Sequence, residues 1–70
     1  MSDVVECHSE HEYAEKPTAL LWEGKRLEIK KILEEWLGPG EKCFRVETED
    51  EQDFLLIYQI ASDQWQIEQS

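Results

Sequence analysis

The sequence predicts a mainly β domain: a small antiparallel meander of five or six strands, rolled into a sheet or a partly open barrel. Three observations carry that expectation. Turn-forming residues recur at short intervals, at Pro17, Glu23-Gly24, Gly38-Pro39-Gly40, the run TEDEQD (48–53) and ASDQ (61–64), and cut the chain into pieces of strand length. The segment CFRVET alternates, with Phe44, Val46 and Thr48 on one side and Arg45 and Glu47 on the other, which is the period of a half-buried strand. The segment DFLLIYQI is apolar at successive positions and rich in β-formers, so it reads as a central strand covered on both faces.

The remaining elements follow in chain order. Val4 to His8 reads as an edge strand or a loosely ordered arm, with one of Cys7 and His8 facing the sheet and the other facing solvent. TALLWEGKRLEI reads as a hairpin about Gly24, with Leu20 and Trp22 before the turn and Leu27 and Ile29 after it, so residues 26–33 are expected to pair with 18–23. The next stretch is ambiguous. RLEIKKILEEWLG also fits an amphipathic helix, because Ile29, Ile32, Leu33, Trp36 and Leu37 follow helical spacing and Gly38 stands where a C-terminal cap belongs. The alternative fold is therefore α+β, with one helix at about 28–37 packed on a four-stranded sheet. QWQIEQ alternates Trp65 and Ile67 with polar residues, as an edge or closing strand does. All 70 residues are expected to form a single domain, with residues 1–3 and 69–70 outside the ordered fold.

Charge narrows the range of partners. Residues 1–16 carry five acids and one base, residues 17–40 carry four of each, and residues 41–70 carry eight acids and two bases, for a formal net charge of −10. Most of such a surface repels a phosphate backbone, so direct nucleic-acid binding is not expected. The basic cluster GKRLEIKK, with Lys25, Arg26, Lys30 and Lys31, is interleaved with or flanked by Glu23, Glu28, Glu34 and Glu35, the composition of an ion-paired solvated face. No apolar run is long enough to span a bilayer, and the acidic start lacks the cationic region of a secretion signal, so the expectation is a cytoplasmic protein without a membrane partner.

Cys7, His8, His11 and Cys43 are the candidate metal ligands. They form one close cluster plus a lone cysteine, and on a strand Cys7 and His8 point to opposite faces, so no metal or other cofactor is expected. Cys7 and Cys43 are read as free thiols packed as small hydrophobes. Nucleophilic catalysis needs a thiol beside an oriented histidine base, and a domain this small has little room for a walled pocket, so the protein is not expected to be an enzyme. The acidic run 47–53 lacks the spacing of a calcium loop and reads as a solvated turn. Trp22, Trp36 and Trp65 fall within apolar patterns and are assigned to the core, while Tyr13, in a polar stretch, is the aromatic best placed to meet a partner.

The run CHSEHEYAEKPTALLWEGKRLEIKKILEEW, with FRVETEDEQDFLLIY and DQWQI after it, resembles a family of small, functionally uncharacterised bacterial β domains. The resemblance rests on Tyr-Ala-Glu-Lys-Pro at 13–17, Trp22-x-Gly24-x-Arg26, Ile32-Leu33-x-x-Trp36, Phe44-Arg45-Val46 and the closing Trp65, and extends from about Val4 to Ile67. Related sequences stand alone, and similar segments are appended to proteins related to translesion DNA polymerases. The resemblance implies a mainly β fold, which favours strand over helix at residues 26–34, and it implies no catalytic residues. This chain departs from the pattern in having no glycine in the TEDEQD turn and Leu27 where an aromatic is common, which points to a less regular turn and a smaller core contact.

The function expected is a non-enzymatic protein-interaction module with an acidic face, whose partner-binding candidates are Tyr13, Glu49, Asp50 and Glu51 and whose partner is a basic protein. The alternatives are an accessory domain associated with DNA repair and a small zinc-binding protein. Oligomeric state does not follow from the sequence.

Overall fold

Four of the five predicted breaks separate two strands, whereas Pro17 lies within a strand, buried and opposite Cys7. In the computed structural model, which describes residues 3–9 and 15–69 without the side chains of His8, Ser9 and Glu15, six strands follow in chain order. They are β1 (Val5–Ser9), β2 (Glu15–Trp22), β3 (Lys25–Gly38), β4 (Glu41–Thr48), β5 (Asp53–Gln59) and β6 (Gln64–Gln69). Every strand is antiparallel to the next, giving one sheet in the order β1-β2-β3-β4-β5-β6. The all-β meander is thus the fold, curled into a half-barrel. Glu23 and Gly24, with φ of 50° and 79°, make the two-residue link that closes Trp22 onto Lys25 and matches the twist of a hairpin. Pro39 and Gly40 (φ 71°) make the corresponding link from Gly38 to Glu41, with the proline-then-glycine order of a type II turn.

The side-chain alternation of β4 sets the two faces. Phe44, Val46 and Thr48 point inward, with Phe54 and Leu56 of β5, Ile67 of β6 and Leu20 of β2, and all of these are buried. Trp22, Leu27, Ile29, Ile32 and Trp65 pack around them half-buried. Trp22 of β2 lies edge-on to Phe54 of β5 with ring centroids 5.3 Å apart. Three strand spacings separate those strands, roughly 14 Å in a flat sheet, so the sheet must curl about its inner face to bring the rings together. The curl also brings the two ends of the meander to each other. The Asp3 amide donates to the Trp65 carbonyl at 3.0 Å, and the Ile67 amide donates to an Asp3 carboxylate oxygen at 2.8 Å. Of the terminal residues expected outside the fold, Asp3 and Gln69 therefore both pair within the sheet.

The alternative helix at 28–37 is corrected by β3, which runs unbroken from Lys25 to Gly38. Its first four residues pair with β2, from Ala19↔Glu28 to Trp22↔Lys25, and Ile29 to Gly38 pair with β4. The register shifts between Ile29 and Lys31 and again between Ile32 and Glu34. Each bulge adds one residue, so inward positions fall at 29, 32 and 35, three apart instead of two. Two bulges in a strand thus imitate the spacing of a helix. They also move the apolar residues that completed the helical pattern out of the core: Leu33, Trp36 and Leu37 are 40%, 41% and 73% exposed. Trp36 is the one tryptophan of the three that does not belong to the core, contrary to its sequence assignment.

β5 is covered on both edges, by β4 and β6, though it is fifth in the order and not central. β1 is an edge strand, as expected, with a register shift between Glu6 and Cys7. Cys7 is half-buried.

Candidate functional site

The acidic run 47–53 lies where β4 turns into β5, and its conformation is set by one buried hydroxyl. Thr48 is the last inward residue of β4 and is fully buried. Its Oγ1 accepts a hydrogen bond from the Gln52 amide at 3.1 Å and its hydroxyl donates to the Asp50 carboxylate. The second Asp50 oxygen accepts from the Gln52 side-chain amide, and Gln52 in turn accepts from Gln69 Nε2 at 2.8 Å. The Glu49 amide donates to the Glu28 carbonyl at 2.8 Å. The turn is thereby fastened to β3, β4 and β6 together. Glu51 takes φ 64°, a left-handed backbone that costs a side-chain-bearing residue roughly 1 kcal/mol. Glu51 thus holds the left-handed position that a glycine adopts without strain.

Two kinds of carboxylate result. The Thr48 hydroxyl, and after it the Gln52 amide, hold Asp50 below the ordinary aspartate range, so this residue is ionised and committed to the turn. Glu47 is half-buried and reaches Lys31 Nζ at 3.7 Å. Glu49, Glu51 and Asp53 are exposed and form no ion pair among the described residues. Of the sequence candidates, Glu49 and Glu51 are open to a partner, Asp50 is a structural residue of the turn, and Tyr13 lies outside the described residues.

Beside the turn is a shallow cleft of about 230 Å³ lined by Arg26, Leu27, Glu28, Glu49 and Asp50. Arg26 is fixed there by two carboxylates. Its Nε and one terminal nitrogen bind Glu6 in a fork at 2.8 and 3.0 Å, and the other terminal nitrogen binds Glu28 at 3.0 Å. The fork pulls Glu6 below the usual glutamate range and keeps the guanidinium charged. The clamp joins β1 to β3 across β2, where the register places Ala19 between Glu6 and Glu28 and where Ala19 is buried. With Lys31–Glu47, Lys42–Glu35 (3.3 Å) and Arg45–Glu34 (3.4 Å), the basic residues of the middle of the chain are largely engaged with acids.

Of the metal candidates, Cys7 and Cys43 have described side chains, while the side chain of His8 lies outside the described residues. Cys7 is on β1 and Cys43 on β4 with two strands between them, Cys43 alternates with inward Phe44 and so faces outward, His11 lies outside the described residues, and no group of three or more ligand side chains occurs among the described residues. Cys43 is buried all the same, opposite Trp36 on β3 and Ile57 on β5. Burial, and then the thiol's hydrogen bond to Glu41 at 3.3 Å, push its pKa up to about 11. In a Cys7→Ser background, Cys43 should react with iodoacetamide at pH 8 about two orders of magnitude more slowly than an ordinary thiol of pKa about 8.5. Labelling at the rate of free cysteine would show that the outer face does not cover it.

Sequence reasoning missed the outward placement of Trp36 and the exposure of Leu33 and Leu37 on β3. The signal for it was Lys31, which breaks the alternation and marks a bulge. Among the described residues no helix is long and apolar enough to cross a membrane. Comparison with protein-family models, curated proteins and solved structures returns no match to this chain.

Proposed function

We propose that the domain is a non-enzymatic protein-interaction module whose acidic turn receives a basic segment of its partner. The observation that carries this reading is the set of three open carboxylates, Glu49, Glu51 and Asp53, on a turn fastened to three strands at the rim of a cleft lined by Leu27. A rigid turn loses little conformational freedom on binding, so its charges act at full effect. Clustered carboxylates raise the encounter rate with a basic surface more than they raise affinity. Leu27 and the fixed stem of Arg26 supply contact area once the partner has docked.

The test is capture of the partner from the native cell, followed by association kinetics with the purified pair. The triple variant Glu49→Gln/Glu51→Gln/Asp53→Asn should slow association by about tenfold at low ionic strength and leave dissociation nearly unchanged. An association rate indifferent to the three substitutions refutes the reading. So does micromolar binding of single-stranded or duplex DNA at physiological salt, which would instead favour an accessory role in DNA repair.

A further inference from the structure

We propose that β3 is a self-association edge, and that a second copy of this chain adds its own β3 antiparallel to it across a twofold axis. β3 pairs with β2 only as far as Glu28, and beyond that point no described residue pairs with its second edge. The open edge therefore runs from Lys30 to Gly38, where no described strand takes up the main-chain donors and acceptors of that side and where Leu33, Trp36 and Leu37 are exposed. An edge of that length is a template for one more strand.

Charge selects the occupant. The run KKILEE, residues 30–35, is its own antiparallel complement: with Ile32 and Leu33 at the axis, Lys31 of one copy meets Glu34 of the other and Lys30 meets Glu35. The bulge at Leu33 makes the first of these pairs feasible. Lys31 is opposite Glu47 and Glu34 opposite Arg45, two residues of the same face of β4, so Lys31 and Glu34 share the outer face although they are three apart. The existing ion pairs Arg45–Glu34 and Lys31–Glu47 would then join into a row of alternating sign, Arg45, Glu34, then Lys31 and Glu47 of the second copy, repeated by the twofold axis. An unrelated strand would leave these charges unmatched, which restricts the edge to its own sequence. The rest of the molecule carries the whole net charge of −10, whereas residues 17–40 are neutral, so this is the part of the surface where two copies meet without net repulsion.

Sedimentation equilibrium of the full chain over a range from about 10 μM to 1 mM tests the pairing. Wild type should form a dimer and nothing larger. Glu34→Lys/Glu35→Lys should weaken it by about tenfold or more, because each cross-strand pair becomes a repulsion, and Lys30→Glu/Lys31→Glu should do the same. An equimolar mixture of the two variants should dimerise again, as should the fourfold swap that carries all four substitutions. Far-ultraviolet circular dichroism of each variant checks that the sheet is retained. A wild type that stays monomeric up to 1 mM, or folded charge variants that dimerise as well as wild type, would overturn the proposal.

Discussion

Replacing Phe54 with alanine should cost about 3–5 kcal/mol. Phe54 is fully buried on β5, and its ring is the partner of Trp22 across the curl of the sheet. The substitution removes the transfer energy of a large ring, leaves a cavity among Leu20, Val46 and Leu56, and loses an edge-on aromatic contact. A 70-residue domain has a total stability of only roughly 4–10 kcal/mol, so one such residue holds a large share of it. Leu55, the next residue along, faces outward and is half-buried, and Leu55→Ala should cost distinctly less. Urea denaturation of both variants checks the assignment of faces. Equal losses, or a larger loss at Leu55, would mean that the core is on the other side of the sheet.

Thr48→Val should destabilise the protein by about 1–3 kcal/mol although it keeps the side-chain shape. The valine strands the Gln52 amide and removes the donor that Asp50 accepts from. Thr48→Ser keeps the hydroxyl and should recover most of that hydrogen bonding while losing a methyl group. The same contacts give the turn a pH dependence of known sign. Asp50 titrates below its unfolded value of about 3.9, so its contribution is present above that pH and disappears as pH falls through the lower, folded value. In Thr48→Val, the Asp50 carboxyl carbon should titrate nearer the ordinary aspartate value when followed by NMR. An unchanged midpoint in urea together with an unchanged Asp50 titration would remove Thr48 from its place in the turn.

These two residues differ in how far the sequence revealed them. The inward positions of β4 and β6 and the hairpin at Gly24 were legible because local alternation and turn chemistry agree with the final burial. The second half of β3 was not, because two bulges change its period from two to three and make a strand look like a helix. Propensity deepened the ambiguity, since Leu, Glu and Lys are good helix formers, and long-range pairing with β4 overrode it. The acidic turn was located correctly from composition. Its division into a structural aspartate and three open carboxylates was not read, though Thr48 followed two residues later by Asp50 is a pattern of side chains that bond local backbone and one another. The closing contact of Asp3 with β6 left no sequence signal at all, because it depends on the curl that the whole sheet adopts.

Both proposed surfaces depend on β3 being one continuous strand whose residues Lys25–Glu28 pair with β2 and whose residues Ile29–Gly38 pair with β4. Backbone chemical shifts and amide hydrogen exchange across Lys25–Gly38, taken at low micromolar concentration, measure this directly. The expected result is extended-strand shifts throughout, with amides that face β4 protected and those on the open edge from Lys30 onward exchanging freely until the concentration is raised. Helical shifts continuous from Glu28 to Leu37, with uniform protection, would contradict it.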